Sequence, residues 1–136
     1  MRKVSSKRRR RAAEVRGMRQ RLVNEADGCE ICNHSPDNPN PSFPWELSKL
    51  VCHEILCGSG YREKALDQPY AILVICVYCN EHVVTNKGKW PQARQLATLQ
   101  RRAKSRYDLV AFNKLANANA PDRITQAEVD EWAREQ

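Results

Sequence analysis

Two Cys-x-x-Cys pairs constrain this chain more than any other feature. Cys29 and Cys32 form the first, Cys76 and Cys79 the second, and 43 residues separate them. A CxxC turn presents two sulfurs to one ion. Zinc prefers four tetrahedral sulfur or nitrogen ligands, so two such turns complete its shell. A site closed by four sulfurs keeps no open position, so the expected ion builds structure and does no chemistry. It would pin together the ends of a long excursion, residues 33–75. The alternatives are redox pairs, disfavoured because the chain has no thioredoxin-like βαβ pattern, and plain buried cysteines. Cys52 and Cys57 fall outside this framework and flank His53. They read as small buried side chains, with a second metal site shared with His53, His34 or His82 as the alternative.

The chain has 136 residues, 41% of them hydrophobic and only 7% aromatic. That is enough for one domain plus tails, with a modest core of the kind that needs a metal or disulfide staple. Six cysteines would also suit a secreted disulfide scaffold. The N-terminus, however, is a charge run with no apolar stretch behind it, unlike a secretory leader. No segment approaches the roughly 18 continuous apolar residues of a membrane span. A reducing cytoplasm is the expected compartment, and there CxxC spacing points to metal.

The net charge of +7 is unevenly spread. Residues 1–21 hold ten basic residues against one acid, Glu14, while the rest of the chain carries thirteen basic and fifteen acidic residues. Lys and Arg displace counterions from phosphates, so "KRRRRAAEVRGMRQR" suits a polyanion. Lys7, Arg8, Arg9, Arg10, Arg11, Arg16 and Arg19 are the candidate contacts to DNA. The bland alternative is a solvated tail that aids solubility.

Pattern and punctuation predict the elements. A basic helix is expected over 8–24, stopped near Gly28, followed by a turn-rich stretch with four prolines up to Pro44. A short helical turn is expected over 45–50. A strand over 50–56 would point Val51, His53 and Ile55 one way and Cys52 and Glu54 the other. A helical turn should cover "REKAL", and the apolar, β-branched run "YAILVICVYC" (70–79) reads as a buried strand. Helices are expected over 92–105, opened by Pro91; over 109–116, capped by Asp108; and over 126–134, where Thr125 and Glu128 have capping-box spacing. Trp90, Leu96, Leu99, Tyr107, Phe112 and Trp132 read as packing residues. The expected class is α+β: a basic arm at 1–24, a metal-stapled core at 25–88 and a helical extension at 89–136.

If the cysteine clip closes, it brings polar residues together. His53 and Glu54 come from the first strand, and Asn80 directly follows the second CxxC. Metal-assisted phosphodiester hydrolysis needs a base to activate water, a hard divalent cation and ligands to hold that cation. Histidine is the natural base near neutral pH. Carboxylate, Asn oxygen or imidazole can hold the ion, and Arg62 could grip a phosphate through its fork of donors.

"HEI" at 53–55, "GSGYR" at 58–62 and "ICVYCN" at 75–80 resemble the signature of zinc-stapled HNH endonucleases of the ββα-metal type, closest to phage and bacterial relatives. The resemblance covers about residues 29–84. It implies a ββα-metal core, DNA cleavage with Mg2+ or another divalent ion, and double-stranded DNA as substrate. Carried over by position, Cys29, Cys32, Cys76 and Cys79 match the structural zinc ligands, and Asn80 matches the metal ligand at the helix start. His53–Glu54 match the pair in which the first member binds the catalytic metal and the second is the base. This chain departs from the pattern in two ways. Strict alignment puts Glu54 in the base position, whereas sliding by one puts His53 there and Cys52 at the ligand. The central Asn of the family has no counterpart, since residues 71–75 are wholly apolar. The rival readings are a non-catalytic zinc module that binds DNA and a zinc-ribbon adaptor for protein partners.

Overall fold

β1 (Leu50–Glu54) pairs antiparallel with β2 (Ile72–Cys76), in a register that sets Leu50 opposite Cys76, His53 opposite Leu73 and Glu54 opposite Ile72. The computed structural model of the protein describes residues 6–56, 62–85, 89–117 and 122–135, with 62 and 63 described by their backbone. All five residues of β2 are buried, which explains its unbroken apolar sequence: both faces of the strand are covered.

The two faces are covered by different helices. On one, Ile72 and Val74 pack against Leu22 of α1 (Ser6–Glu25), with Met18, Val23 and Cys52 at the margin. On the other, Leu73 and Ile75 join Ile55, Leu96, Leu99, Phe112 and Val129 in the main core. That core is built largely from α4 (Gln92–Arg102), α5 (Leu109–Leu115) and α6 (Gln126–Arg134). Ala93, Leu96, Ala97 and Leu99 form the buried stripe of α4, at the spacing that puts residues on one helical face.

α1 buries one residue, Leu22, and has no acidic residue in its first turn, where successive arginines oppose the helix dipole. Packing alone would hold it poorly, and side-chain tethers make up the difference. Arg11 pairs with Asp67 at 2.7 Å and Arg19 with Glu54 at 3.2 Å, while Arg19 also donates to the carbonyls of Cys52 and Leu66.

The free edge of β2 is closed by a polar clamp. Glu30 donates its N–H to the Val74 carbonyl at 2.9 Å and accepts from the Val74 N–H through its side chain at 2.6 Å. Arg106 then grips both Glu30 carboxylate oxygens, at 2.9 and 3.0 Å, and donates to the Ile72 carbonyl at 2.8 Å. Backbone groups that β1 does not pair thereby find partners.

The α+β class and the order of elements agree with the expectation from sequence, while several boundaries differ. The second strand is shorter than 70–79. Pro69–Ala71 is a 3-10 turn, and the chain leaves the sheet at Cys76 to form α3 (Val77–Cys79), because the knuckle needs the Cys79 N–H turned back onto the Cys76 sulfur. A π-helical turn, Asn80–Val84, continues α3. The first strand stops at Glu54, although Ile55 still donates to the Ala71 carbonyl. α4 ends at Arg102 and not at 105; a 3-10 turn, Lys104–Arg106, then delivers Arg106 to Glu30. A short turn, α2 (Arg62–Ala65), lies between the strands. The caps are as expected: Asp108 accepts from the Ala111 N–H at 3.0 Å and Thr125 from the Glu128 N–H at 3.2 Å.

Candidate metal centre and its histidine

The first knuckle closes because Gly28 lets it. A Cβ at Gly28 would stand 2.6 Å from the Asn33 carbonyl oxygen, so any side chain there would push the turn apart. Cys29 donates its N–H to the His34 carbonyl and accepts from the Asn33 N–H, and Asn33 takes the left-handed conformation (φ 72°) that reverses the chain. The second knuckle grows from the end of β2. There the Val77 N–H reaches across to the Lys49 carbonyl at 3.0 Å and fixes the exit from the sheet.

These two turns bring the sulfurs of Cys29, Cys32, Cys76 and Cys79 within 4.8 Å of one another. Tetrahedral zinc with bonds of about 2.3 Å holds its sulfurs about 3.8 Å apart. Cys32 and Cys76 already stand at 3.7 Å. Backbone N–H groups of Ile31 and Cys32 point at the Cys29 sulfur and that of Cys79 at the Cys76 sulfur, each at 3.4 Å, as expected around thiolates. Cys29, Cys76 and Cys79 are buried. Hydrogen bonds from Cys76 and Cys79 push the Cys29 thiol far down, and serving as its donors raises Cys79 and brings Cys76 up to about 12. A divalent cation resolves that competition by taking all four sulfurs as thiolates. The four cysteines form a group that can hold a metal ion such as zinc, and among the described residues no other His, Cys, Asp or Glu set gathers for one.

His53 lies on β1 facing the main core, only 9% exposed. Its Nε2 is 3.0 Å from Oε1 of Gln95 on α4, and the Gln95 amide donates to the Trp90 carbonyl at 2.9 Å. The Asn80 side chain lies close enough to the ring to exert a small upward pull on its pKa, but makes no hydrogen bond to it. Burial pushes the His53 pKa down, against the opposing pull of Gln95, the Glu54 charge and Asn80, so the imidazole is neutral near pH 7.

Sequence placed three polar residues here, and the fold brings two together. His53 and Asn80 lie on the same side of the sheet, near enough for Asn80 to influence the ring. Glu54, the next residue on the strand, points to the opposite face and pairs with Arg19 at 3.2 Å. Arg62 opens α2, but its side chain lies outside the described residues, as do Cys57 and the glycine turn at 58–61. Cys52 faces α1, with its sulfur 3.6 Å from the Arg19 carbonyl, so it shares no site with His53. His34 meets the Asn38 carbonyl at 3.2 Å, and His82 lies 4.9 Å from the ring of Tyr78.

The basic arm divides. Lys7, Arg8, Arg9, Arg10 and Arg16 are exposed along α1. Lys7, Arg8 and Arg16 rim a groove of about 540 Å³ that runs between the helix and Leu66. Arg19 is a structural clamp and not a surface contact, because the strand end at Cys52–Glu54 offers it a carboxylate and a carbonyl. Arg11 is half exposed yet tied to Asp67.

Gln95, Glu30 and Arg106 were missed by sequence reasoning. Gln95 carried a readable signal: a polar residue inside the apolar stripe of α4, where burial demands a partner. Glu30 sits inside a CxxC and gave none. No helix among the described residues is long and apolar enough to cross a membrane. No protein-family description, curated protein or solved structure matches this chain.

Proposed function

We propose that this protein is a metal-dependent DNA endonuclease of the HNH type, acting in the cytoplasm, with Cys29, Cys32, Cys76 and Cys79 holding a structural zinc. The observation that carries the reading is the four-cysteine cluster at the foot of the hairpin, which sets the buried ring of His53 on β1 beside the turn that Asn80 opens directly after the last cysteine. A hairpin that ends in a sulfur knuckle and a helical turn supplies the ββα frame such a site uses.

In this reading Asn80 and His53 are the candidate holders of a hard divalent cation such as Mg2+. When bound, that cation would stabilise charge on the phosphorane and the leaving oxygen. His53 accepts a proton from the attacking water if it acts as base, and its neutral state suits the task. Glu54 keeps β1 in register with α1 through Arg19. Lys7, Arg8, Arg9, Arg10 and Arg16 track phosphates, and Arg62, the arginine that follows the glycine turn, is the candidate to grip a phosphate through its fork of donors.

A second reading, a non-catalytic zinc module that binds DNA, is favoured by the depth of His53 and by its bond to a side-chain amide. Plasmid nicking across Mg2+, Mn2+, Ni2+ and EDTA, with zinc counted in parallel, separates the two. The nuclease nicks supercoiled plasmid with a divalent ion and loses that activity in His53→Ala at unchanged zinc content. Tight, salt-sensitive DNA binding with no nicking in any metal establishes the module instead.

A further inference from the structure

Gln95 belongs to α4, outside the stretch that carries the HNH resemblance, yet it contacts the one histidine that faces the core. It is 5% exposed. Both ends of its carboxamide are engaged, and its two bonds are not interchangeable. The Trp90 carbonyl can only accept a hydrogen bond, so the end facing it, 2.9 Å away, is the NH2 group. The end facing His53 Nε2 at 3.0 Å is therefore the oxygen, which can only accept. The nitrogen opposite it must carry hydrogen. Trp90 is a firm anchor for this relay. Its N–H is bonded to the Val84 carbonyl at 3.1 Å, at the end of the π turn that begins at Asn80. Its ring lies under the Arg94 guanidinium, 3.9 Å from the ring centroid.

We infer that Gln95 is the positioning residue for His53: its amide, locked by the Trp90 carbonyl, holds the imidazole in the Nε2–H tautomer and leaves Nδ1 as the nitrogen free to take a proton or a cation. The catalytic consequence rests on the endonuclease reading, while the tautomer itself does not. A neutral imidazole in water interconverts between tautomers, so half-committed chemistry at Nδ1 is lost whenever the proton sits there. The relay removes that loss and also fixes the ring plane, in the way an outer partner orients a histidine at a reactive centre. The same bonds tie β1, α4 and the Asn80 turn into one polar chain across the core.

The test is long-range 1H–15N correlation of the zinc-loaded full chain labelled at histidine, with His53→Gln assigning the His53 signals among the three histidines. The expected spectrum shows protonated Nε2 and bare Nδ1. Gln95→Leu, of similar size but unable to accept, mixes the tautomers and lowers kcat about 10- to 100-fold with little change in KM. Gln95→Glu restores an acceptor, keeps Nε2–H and recovers part of the rate. A wild-type spectrum with hydrogen on Nδ1, or an unchanged tautomer in a folded Gln95→Leu, overturns the assignment. The wild-type spectrum decides even where Gln95→Leu does not fold. Wild-type protein that nicks no plasmid yet loses its Nε2–H tautomer in Gln95→Leu retires the endonuclease reading and leaves the positioning role standing.

Discussion

The two faces of the β1–β2 hairpin are made from the same ten residues, yet they solve the burial of polar groups in opposite ways. The inner face joins a core that includes Leu96, Leu99, Phe112 and Val129, and its polar member, His53, is bonded to the neutral amide of Gln95. The outer face packs Ile72 and Val74 against Leu22 of α1, and its polar member, the buried Glu54, is matched by the guanidinium of Arg19. Dipoles suffice for a ring that can stay neutral, whereas a carboxylate at the same depth needs a countercharge. Glu54 is as deeply set as His53, each residue 9% exposed, and its countercharge comes from Arg19, whose side chain keeps 24% of its surface in solvent. Neighbouring residues on one strand thus acquire unlike chemistry because alternation sends them to unlike surroundings.

Removing the metal should abolish the contrast altogether, and this is the largest effect expected. The knuckles hold both ends of the hairpin excursion, and structural zinc contributes about 10–16 kcal/mol in peptides that fold around it. Chelation, or Cys79→Ser, should erase the cooperative thermal transition seen by circular dichroism in the zinc-loaded chain. A chain that melts at the same temperature with and without zinc would remove the staple from the account. Next in size is Leu73→Ala. Leu73 is fully buried on the inner face, so the variant should lose about 2–5 kcal/mol in urea unfolding, well above the loss in Cys52→Ala on the outer face. Equal losses would mean that the two faces are energetically alike.

This asymmetry was partly legible before any coordinates. Alternation in "LVCHE" correctly sent His53 and Glu54 to opposite sides, and the cysteine spacing anticipated the cluster that gathers within 4.8 Å. The two expectations were nevertheless in tension, because a trio of His53, Glu54 and Asn80 around one ion asks adjacent strand residues to converge. What sequence could not supply was the long-range partner. Arg19 read as one more arginine in a basic run, since nothing local tells a surface guanidinium from one destined for a carboxylate 35 positions away. Gln95 and Arg106 likewise find His53 and Glu30 across 42 and 76 positions. The boundaries of β2 were missed because a wholly apolar run has no period to mark where pairing ends; β1 and the knuckle set that limit.

Arg19→Met sharpens the outer half of the comparison. It keeps an apolar stem against the sheet while deleting donors to Glu54, Cys52 and Leu66, so the loss reports the polar clamp and not packing. Hydrogen bonds to a charged, partly buried partner are worth about 1.5–3 kcal/mol, and a loss in that range is expected from denaturant unfolding. DNA binding should change little compared with removal of Lys7, Arg8, Arg9 and Arg10, because Arg19 faces the sheet. A binding defect as large as that of the arm variant would return Arg19 to the phosphate-contacting set.

The smallest effect is a pH slope, and it belongs to the inner face. Burial lowers the pKa of His53 below its ordinary 6.5 in the folded chain. Between those two values the unfolded imidazole carries a proton that the folded one does not. Stability therefore rises with pH across this window: it is complete above about 6.5 and falls as the medium acidifies toward the folded pKa. Each pKa unit of separation corresponds to about 1.36 kcal/mol. Acid also weakens thiolate coordination, so the informative quantity is the difference in slope between the wild-type chain and His53→Gln, both at saturating zinc. The variant should keep the metal-linked loss and lack the histidine component. Identical slopes would mean that His53 binds protons equally in both states, which a ring 9% exposed and bonded to a neutral amide oxygen should not do.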